Sequence, residues 1–110
     1  MRRIRVEFRP SADDDLIAIF DFVFEASRSA ATAQRFTQRI RDRCLRIGDS
    51  PSGGRPRDDL FPGLRTVPFE RTVVIAYVTE GDRVEIANIF YGGRDFEAIY
   101  RGEVPDAGTS

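Results

Sequence analysis

Apolar and charged residues alternate at the start of the chain, where Ile4, Val6 and Phe8 are interleaved with Arg3, Arg5 and Glu7. A period of two sends successive side chains to opposite faces, so this segment predicts a half-buried strand. The period then changes. Pro10 suits the first turn of a helix, where its missing N–H leaves no bond unmade, and Asp13, Asp14 and Asp15 follow at the positive end of the helix dipole. Ala12, Leu16, Ile19, Phe20 and Val23 recur at helical spacing, with Ile17 and Phe24 at the margin of that face and Phe22 pointing away from it. Hydroxyls in Ser27-Arg28-Ser29 can cap a second helix, whose stripe is Ala33, Phe36, Ile40, Cys44 and Ile47. Gly48 and Pro51 stop it, because glycine tolerates a left-handed cap and proline cannot continue the hydrogen-bond ladder.

Strand signals fill the second half. Leu64 to Phe69, Thr72 to Thr79 and Arg83 to Tyr91 read as three strands, the last two joined by the tight turn Glu80-Gly81-Asp82. Ser52 to Gly63 reads as a loop, and Asp95 can cap one helical turn from Phe96 to Arg101. This order predicts an α+β fold: an antiparallel sheet, made of the N-terminal strand and a three-stranded meander, packed against an antiparallel two-helix hairpin. A chain of 110 residues buries one modest core, so a single domain is expected over residues 1–101. The polar stretch 102–110 is expected to fray.

Composition narrows the chemistry. The single cysteine, Cys44, excludes an internal disulfide, and with no histidine the usual zinc ligand sets are missing, so neither a metal nor a cofactor is expected. Absent histidine also removes the commonest general base near neutral pH, which argues against catalytic residues and for a binding protein. No continuous apolar run opens the chain, so no signal peptide or membrane span is expected there and the default address is cytoplasmic. The net charge of -1 hides a bias: all 17 basic residues are arginine, and 12 of them lie between Arg2 and Arg57. Guanidinium groups pair in two-pronged fashion with carboxylates and phosphates, so such a cluster suits an acidic partner or a nucleic acid.

Particular segments carry a resemblance. Phe8-Arg9-Pro10-Ser11-Ala12 leading to Asp15-Leu16, Ser50-Pro51 with Gly54-Arg55-Pro56-Arg57, Leu60-Phe61-Pro62-Gly63-Leu64-Arg65 and Val74-Ile75-Ala76-Tyr77 together resemble the RelE/ParE superfamily of toxins, and its ParE branch most closely. The resemblance implies the toxin half of a toxin-antitoxin pair, neutralised by a cognate ParD-like antitoxin. Operator DNA would be reached only through that antitoxin.

Members of the RelE branch cut messenger RNA on the ribosome, whereas ParE-type members act on DNA gyrase. Arg94 and Tyr100 match the C-terminal pair of RelE-type sites in spacing, and Arg65 matches one basic sheet position, but Val67 and Val74 stand where further cations are expected. Each lost cation forfeits roughly 3 kcal/mol of transition-state stabilisation, so the resemblance implies a gyrase-binding toxin with Arg65, Arg94 and Tyr100 as target contacts. A RelE-type endoribonuclease and a non-toxic degenerate partner of the antitoxin are the alternatives.

Antitoxin contacts are expected on the helices. Arg35 and Arg39 lie opposite the apolar stripe of the second helix, and Phe22 and Leu45 leave the apolar arcs of theirs. Arginine stripes are commonly solvated faces and lone apolar residues commonly sit exposed, so it is their coincidence on one hairpin that suggests a docking surface.

Overall fold

The computed structural model describes residues 4–93 and 95–102. Arg94 and, of the tail expected to fray, residues 103–110 lie outside them. Strand β1 (Arg5–Phe8) leads into helix α1 (Pro10–Ser27) and helix α2 (Ala30–Arg46), which ends in a 3-10 turn, Ile47–Asp49. Four strands follow, β2 (Arg55–Pro56), β3 (Arg65–Phe69), β4 (Val73–Glu80) and β5 (Arg83–Tyr91), and then the short helix α3 (Phe96–Tyr100).

The helix junction is made by two residues. Arg28, at φ 57°, ends α1 and donates its N–H to the Phe24 carbonyl at 2.7 Å. Ser29 then starts α2, its hydroxyl oxygen accepting from the Thr32 N–H at 3.1 Å. So short a connection forces α2 back along α1 as an antiparallel hairpin.

The α+β architecture is the one expected, with two differences in the sheet. Its order is β1-β5-β4-β3-β2, and β1 runs parallel to β5, from Arg5 opposite Arg83 to Phe8 opposite Ile86. The sheet is therefore mixed. Hydrophobic periodicity reports which face a side chain takes but not the direction of a neighbouring strand, and the two-helix crossover lets β5 settle beside β1 with no tight turn between them. The second difference is β2, two residues long and antiparallel to β3, within the segment that reads as loop. Pro56 has no N–H to give a ladder, which confines this strand to the sheet edge.

β5 carries a bulge. Ala76 pairs with Asn88 while Tyr77 pairs with Ile86, so Ala87 is the extra residue. Because β1 stops opposite Ile86, the outer edge of β5 beyond that point has no strand beside it. Side chains of α1 take its place: the Ser11 hydroxyl donates to the Ala87 carbonyl at 2.6 Å, and Asp15 Oδ2 accepts from the Ile89 N–H at 2.8 Å and from Asn88 Nδ2 at 3.1 Å. Asp15 is thus a sheet anchor, and only its neighbours remain to complement the helix dipole.

Hydrophobic residues fill both faces of the sheet. Under the hairpin, Ala12, Leu16, Ile19, Ile40 and Cys44 meet Ile75, Tyr77, Ile86 and Ile89. On the other face a smaller cluster of Leu60, Leu64, Ala76, Val78 and Phe90 is covered by Phe96 and Tyr100. Tyr77 is fully buried, and its hydroxyl accepts from the Gly54 N–H at 2.9 Å and donates to the Pro51 carbonyl at 2.8 Å. A side chain at position 54 would collide with that phenol, so glycine is required there.

Two outcomes follow from this packing. Tyr77→Phe leaves the Gly54 N–H and the Pro51 carbonyl without their partner and is expected to lower unfolding free energy by about 1–3 kcal/mol in a urea titration. Burial pushes the Cys44 thiol up to about 12, against the opposing fields of Arg41 and Arg43. The folded chain keeps this proton where the unfolded chain releases it, so the contribution is intact below the ordinary thiol value of 9.0 and is lost as pH rises from there towards about 12. Urea midpoints that fall between pH 8 and pH 10, with alkylation of Cys44 seen only when the chain is unfolded, are the expected result.

Candidate functional site

Tyr91 is the last residue of β5, and two helices close over it from different sides. Phe22 of α1 meets the Tyr91 ring edge-on, centroids 5.5 Å apart at 65°, and Phe36 of α2 does the same at 5.5 Å and 63°. Such edge-to-face pairs place the positive rim of one ring on the negative face of another. Phe36 is half-buried, but Phe22 is 59% exposed, an aromatic side chain held in place without being covered.

Grooves lie on both sides of Tyr91. One, about 270 Å³, runs along α1 between Phe22, Ala18, Asp15 and Ile89. The other, about 260 Å³, is bounded by Val23, Phe36, Arg35, Arg39 and Thr72. Three of the residues expected to contact an antitoxin therefore flank Tyr91, Phe22 in the first groove and Arg35 and Arg39 on the rim of the second. Leu45 does not. It is 42% exposed but lies ten residues beyond Arg35 on α2, roughly 15 Å along the axis.

The two arginines of the rim differ. Arg39 holds Glu70 with both prongs, Nε to Oε2 at 2.8 Å and Nη2 to Oε1 at 3.0 Å, and its guanidinium lies 5.3 Å from the Phe36 ring centre. The hydrogen bond from Arg39 holds the Glu70 carboxyl below its ordinary range. Glu70 and Arg71 both take positive φ, 48° and 66°, within the three-residue connection from Phe69 to Val73, so this ion pair ties the tip of the β3–β4 hairpin to α2. Arg35 is exposed, with no ion pair to another described residue.

The residues expected to meet a target are spread over the sheet. Arg65 pairs with Tyr77 and so projects from the hairpin-covered side, where its Nη1 donates to the carbonyls of Ser52 at 3.0 Å and Gly54 at 2.7 Å. Tyr100 lies on the opposite side, its ring against Phe90 at 6.0 Å and its hydroxyl donating to Asn88 Oδ1 at 3.0 Å. Burial raises the Tyr100 phenol above its ordinary value, Arg9 opposing and Asp15 reinforcing the shift. The valines divide in the same way, Val67 under the hairpin and Val74 with Phe90 and Tyr100. Val67 and Val74 thus cannot have stood in for two cations of one site, a point that spacing alone could not reveal. Arg94 lies outside the described residues.

Glu97 anchors α3 from a second point. Arg57 gives Nη1 to Glu97 at 2.6 Å and a two-pronged contact to Asp59, Nε at 3.0 Å and Nη2 at 2.8 Å. These hydrogen bonds raise the Arg57 guanidinium further and lower the Asp59 carboxyl. α3 is consequently strapped to the sheet by an ion pair, the Phe90–Phe96 stack at 5.6 Å and the Tyr100 hydroxyl. Phe61 and Ile99 are left exposed on this side.

Sequence reading missed Tyr91, Phe36 and Asp15 as parts of the groove. Phe36 fits the apolar stripe, Asp15 fits the helix start, and Tyr91 reads as a strand end. The one signal available was Gly92-Gly93 immediately after an aromatic strand terminus, which leaves that ring uncovered by its own chain. Among the described residues no cluster of side chains suited to a metal ion forms, and no helix is long and apolar enough to cross a membrane.

Among curated proteins none matches the chain by sequence. Among solved structures it is similar to the "Chromosomal ParDE TA system from P. aeruginosa", at TM-score 0.70 and 22% identity, over 82% of this chain and 97% of that one. At that identity the likeness shows the fold. The family described as "ParE toxin of type II toxin-antitoxin system, parDE" matches residues 6–96, from the first strand to the start of α3, and the chain belongs to that family.

Proposed function

We propose that the chain is a growth-inhibiting toxin that binds DNA gyrase or a related type II topoisomerase, and that a ParD-like antitoxin neutralises it by seating a segment in the grooves around Tyr91. One observation carries the antitoxin site: Phe22 is 59% exposed yet oriented against Tyr91, with the groove wall of Ala18, Ile19 and Ile89 beside it and, across Tyr91, Arg35, which has no ion pair to another described residue. Interfaces concentrate their binding energy in aromatic and arginine anchors held rigid before the partner arrives. The similarity to a ParDE system supports an antitoxin as that partner. Both partners place the action in the cytoplasm, and operator DNA is read by the antitoxin.

Binding without cleavage is the mode of action this reading favours. RNA cleavage needs a base for the 2′-proton, an acid for the leaving oxygen and cations about the phosphorane, all within hydrogen-bond reach. Arg65 and Tyr100 project from opposite faces of the sheet, and the Tyr100 hydroxyl is already engaged with Asn88. Tyr100 instead holds α3 in place, so that Phe61 and Ile99, with Arg94 nearby in sequence, form the surface offered to the target.

Expression of the chain alone is expected to stop growth and co-expression of the partner to restore it; equal growth in both would leave a non-toxic binding protein. Purified chain is expected to inhibit gyrase supercoiling and to leave messenger RNA intact on ribosomes. Ribosome-dependent cutting would return the chain to the endoribonuclease reading. Phe22→Ala combined with Arg35→Ala is expected to weaken antitoxin affinity by about 30-fold or more, the equivalent of a 2 kcal/mol anchor, in a calorimetric titration.

A further inference from the structure

We propose that the cleft at the C-terminal end of α2 binds phosphate groups of a nucleic-acid backbone through Arg43, Arg46 and Arg65. This goes beyond the preceding reading, in which DNA is reached only through the antitoxin. Arg43 and Arg46, one helical turn apart, line a cleft of about 110 Å³ together with Ser50, Gly54 and Tyr77. Arg65 of β3 lies beside the cleft, its Nη1 donating to the carbonyls of Ser52 and of Gly54, a lining residue. Burial raises the Tyr77 phenol above its ordinary value, and the charges of Arg65 and Arg43 oppose that shift.

Charge balance marks this cleft. Several arginines elsewhere are paired, Arg9 with Glu85, Arg39 with Glu70, Arg57 with Asp59 and Glu97, Arg83 with Glu85, while Arg35, Arg55 and Arg71 have no ion pair to another described residue. Arg43 and Arg46 have no hydrogen bond or ion pair to another described residue. From residue 40 to residue 56 the chain has four arginines against two aspartates, Asp42 and Asp49. Asp42 accepts from Gln38, one turn back on α2. Like charges gathered without counter-charge repel one another, and an anion that bridges them removes that cost.

The surroundings favour phosphate over an acidic protein segment. Protein interfaces are built on a buried apolar centre with a polar rim, whereas contacts to a nucleic-acid backbone are made almost wholly by cations and polar groups. The apolar residues at this cleft, Ile47 and Val67, are buried, and exposed Leu45 points at least about 100° round the helix from Arg43 and Arg46. Exposed aromatic anchors lie at the other end of α2, in the Tyr91 groove. Arginine's planar fork suits phosphate oxygens, and the Ser50 hydroxyl adds a donor at the cleft wall.

The net charge of -1 makes the test clean, because the molecule as a whole has no attraction for DNA. Fluorescence anisotropy with a labelled 20-base-pair duplex and a labelled single-stranded RNA of equal charge, over a sodium chloride series, is the measurement. Binding of either is expected, weakening steeply with salt. Arg43→Ala with Arg46→Ala is expected to lower affinity at least tenfold and to reduce the log–log salt slope by roughly 2, one unit per lost phosphate contact. Arg28→Ala with Arg71→Ala removes the same charge from other surfaces and is expected to change affinity less than twofold. Ser50→Asp places a carboxylate in the cleft without removing an arginine and should also abolish binding, with circular dichroism reporting that each variant is folded. Equal losses in both double variants would reduce the effect to net charge and overturn the site. So would absence of binding at low salt, or preferential binding of a polyglutamate peptide of matched charge through the same arginines.

Discussion

The placement of α1 on the sheet rests on one carboxylate. β1 ends opposite Ile86, and beyond it the neighbouring strand β5 has an outer edge with backbone groups that no strand satisfies. Asp15 supplies the acceptor for the Ile89 N–H, and Ser11, one turn earlier, supplies a donor for the Ala87 carbonyl. An unpaired buried backbone group costs about as much as a lost hydrogen bond, so these two contacts fix the height of α1 against the bulge. Phe22 lies seven residues past Asp15, two turns on, and its meeting with Tyr91 follows from that register. Asn88 extends the constraint, bonding Asp15 on one side and the Tyr100 hydroxyl on the other. The aromatic groove and the C-terminal segment are therefore positioned by the same bulge, though they face different sides of the sheet.

A second polar centre organises the far end of the molecule. The Tyr77 phenol, wholly buried, binds the Pro51 carbonyl and the Gly54 N–H, and so shapes the loop that would otherwise cross the sheet edge with its backbone unsatisfied. Arg65, paired with Tyr77 across the strands, holds the same loop through the Ser52 and Gly54 carbonyls. The cleft between this loop and α2 owes its form to these bonds, which leave Arg43 and Arg46 on its wall without tying them. Other arginines serve structure: Arg57 straps α3, Arg39 holds the β3–β4 turn, and Arg9 joins Arg83 at Glu85.

Most of the architecture was legible from periodicity. The bounds of α1, the Ser29 cap of α2, the Asp95 cap of α3 and the hairpin strands all follow from local chemistry, which the sequence states directly. Features set by distant partners were not. The direction of β5 relative to β1 depends on the crossover, β2 depends on an edge left free by β3, and the role of Asp15 depends on where β1 stops. Candidate residues behaved likewise. Phe22 and Arg35 stood out because a helix wheel gives each no interior partner, and both are exposed. Arg39 stood out for the same reason, but its partner, Glu70, comes from a turn 31 residues away. Arg65 and Tyr100 suggested one site by family spacing, and strand pairing puts them on opposite faces.

Charge and aromatic surface have been separated along α2, and the separation has a consequence for how partners can combine. Phe36 and Arg46 lie ten residues apart, roughly 15 Å on the helix axis, so a segment seated beside Tyr91 does not cover the cationic cleft unless it runs the length of the hairpin. Two ligands of different chemistry can then be held at once by a single rigid helix. A partner long enough to reach the cleft would instead need carboxylates at that end to replace the missing counter-charge. Apolar contact and charge compensation would then both favour a bound state that covers α2 from Phe36 to Arg46, and occupancy of the cleft by phosphate would compete with that partner directly.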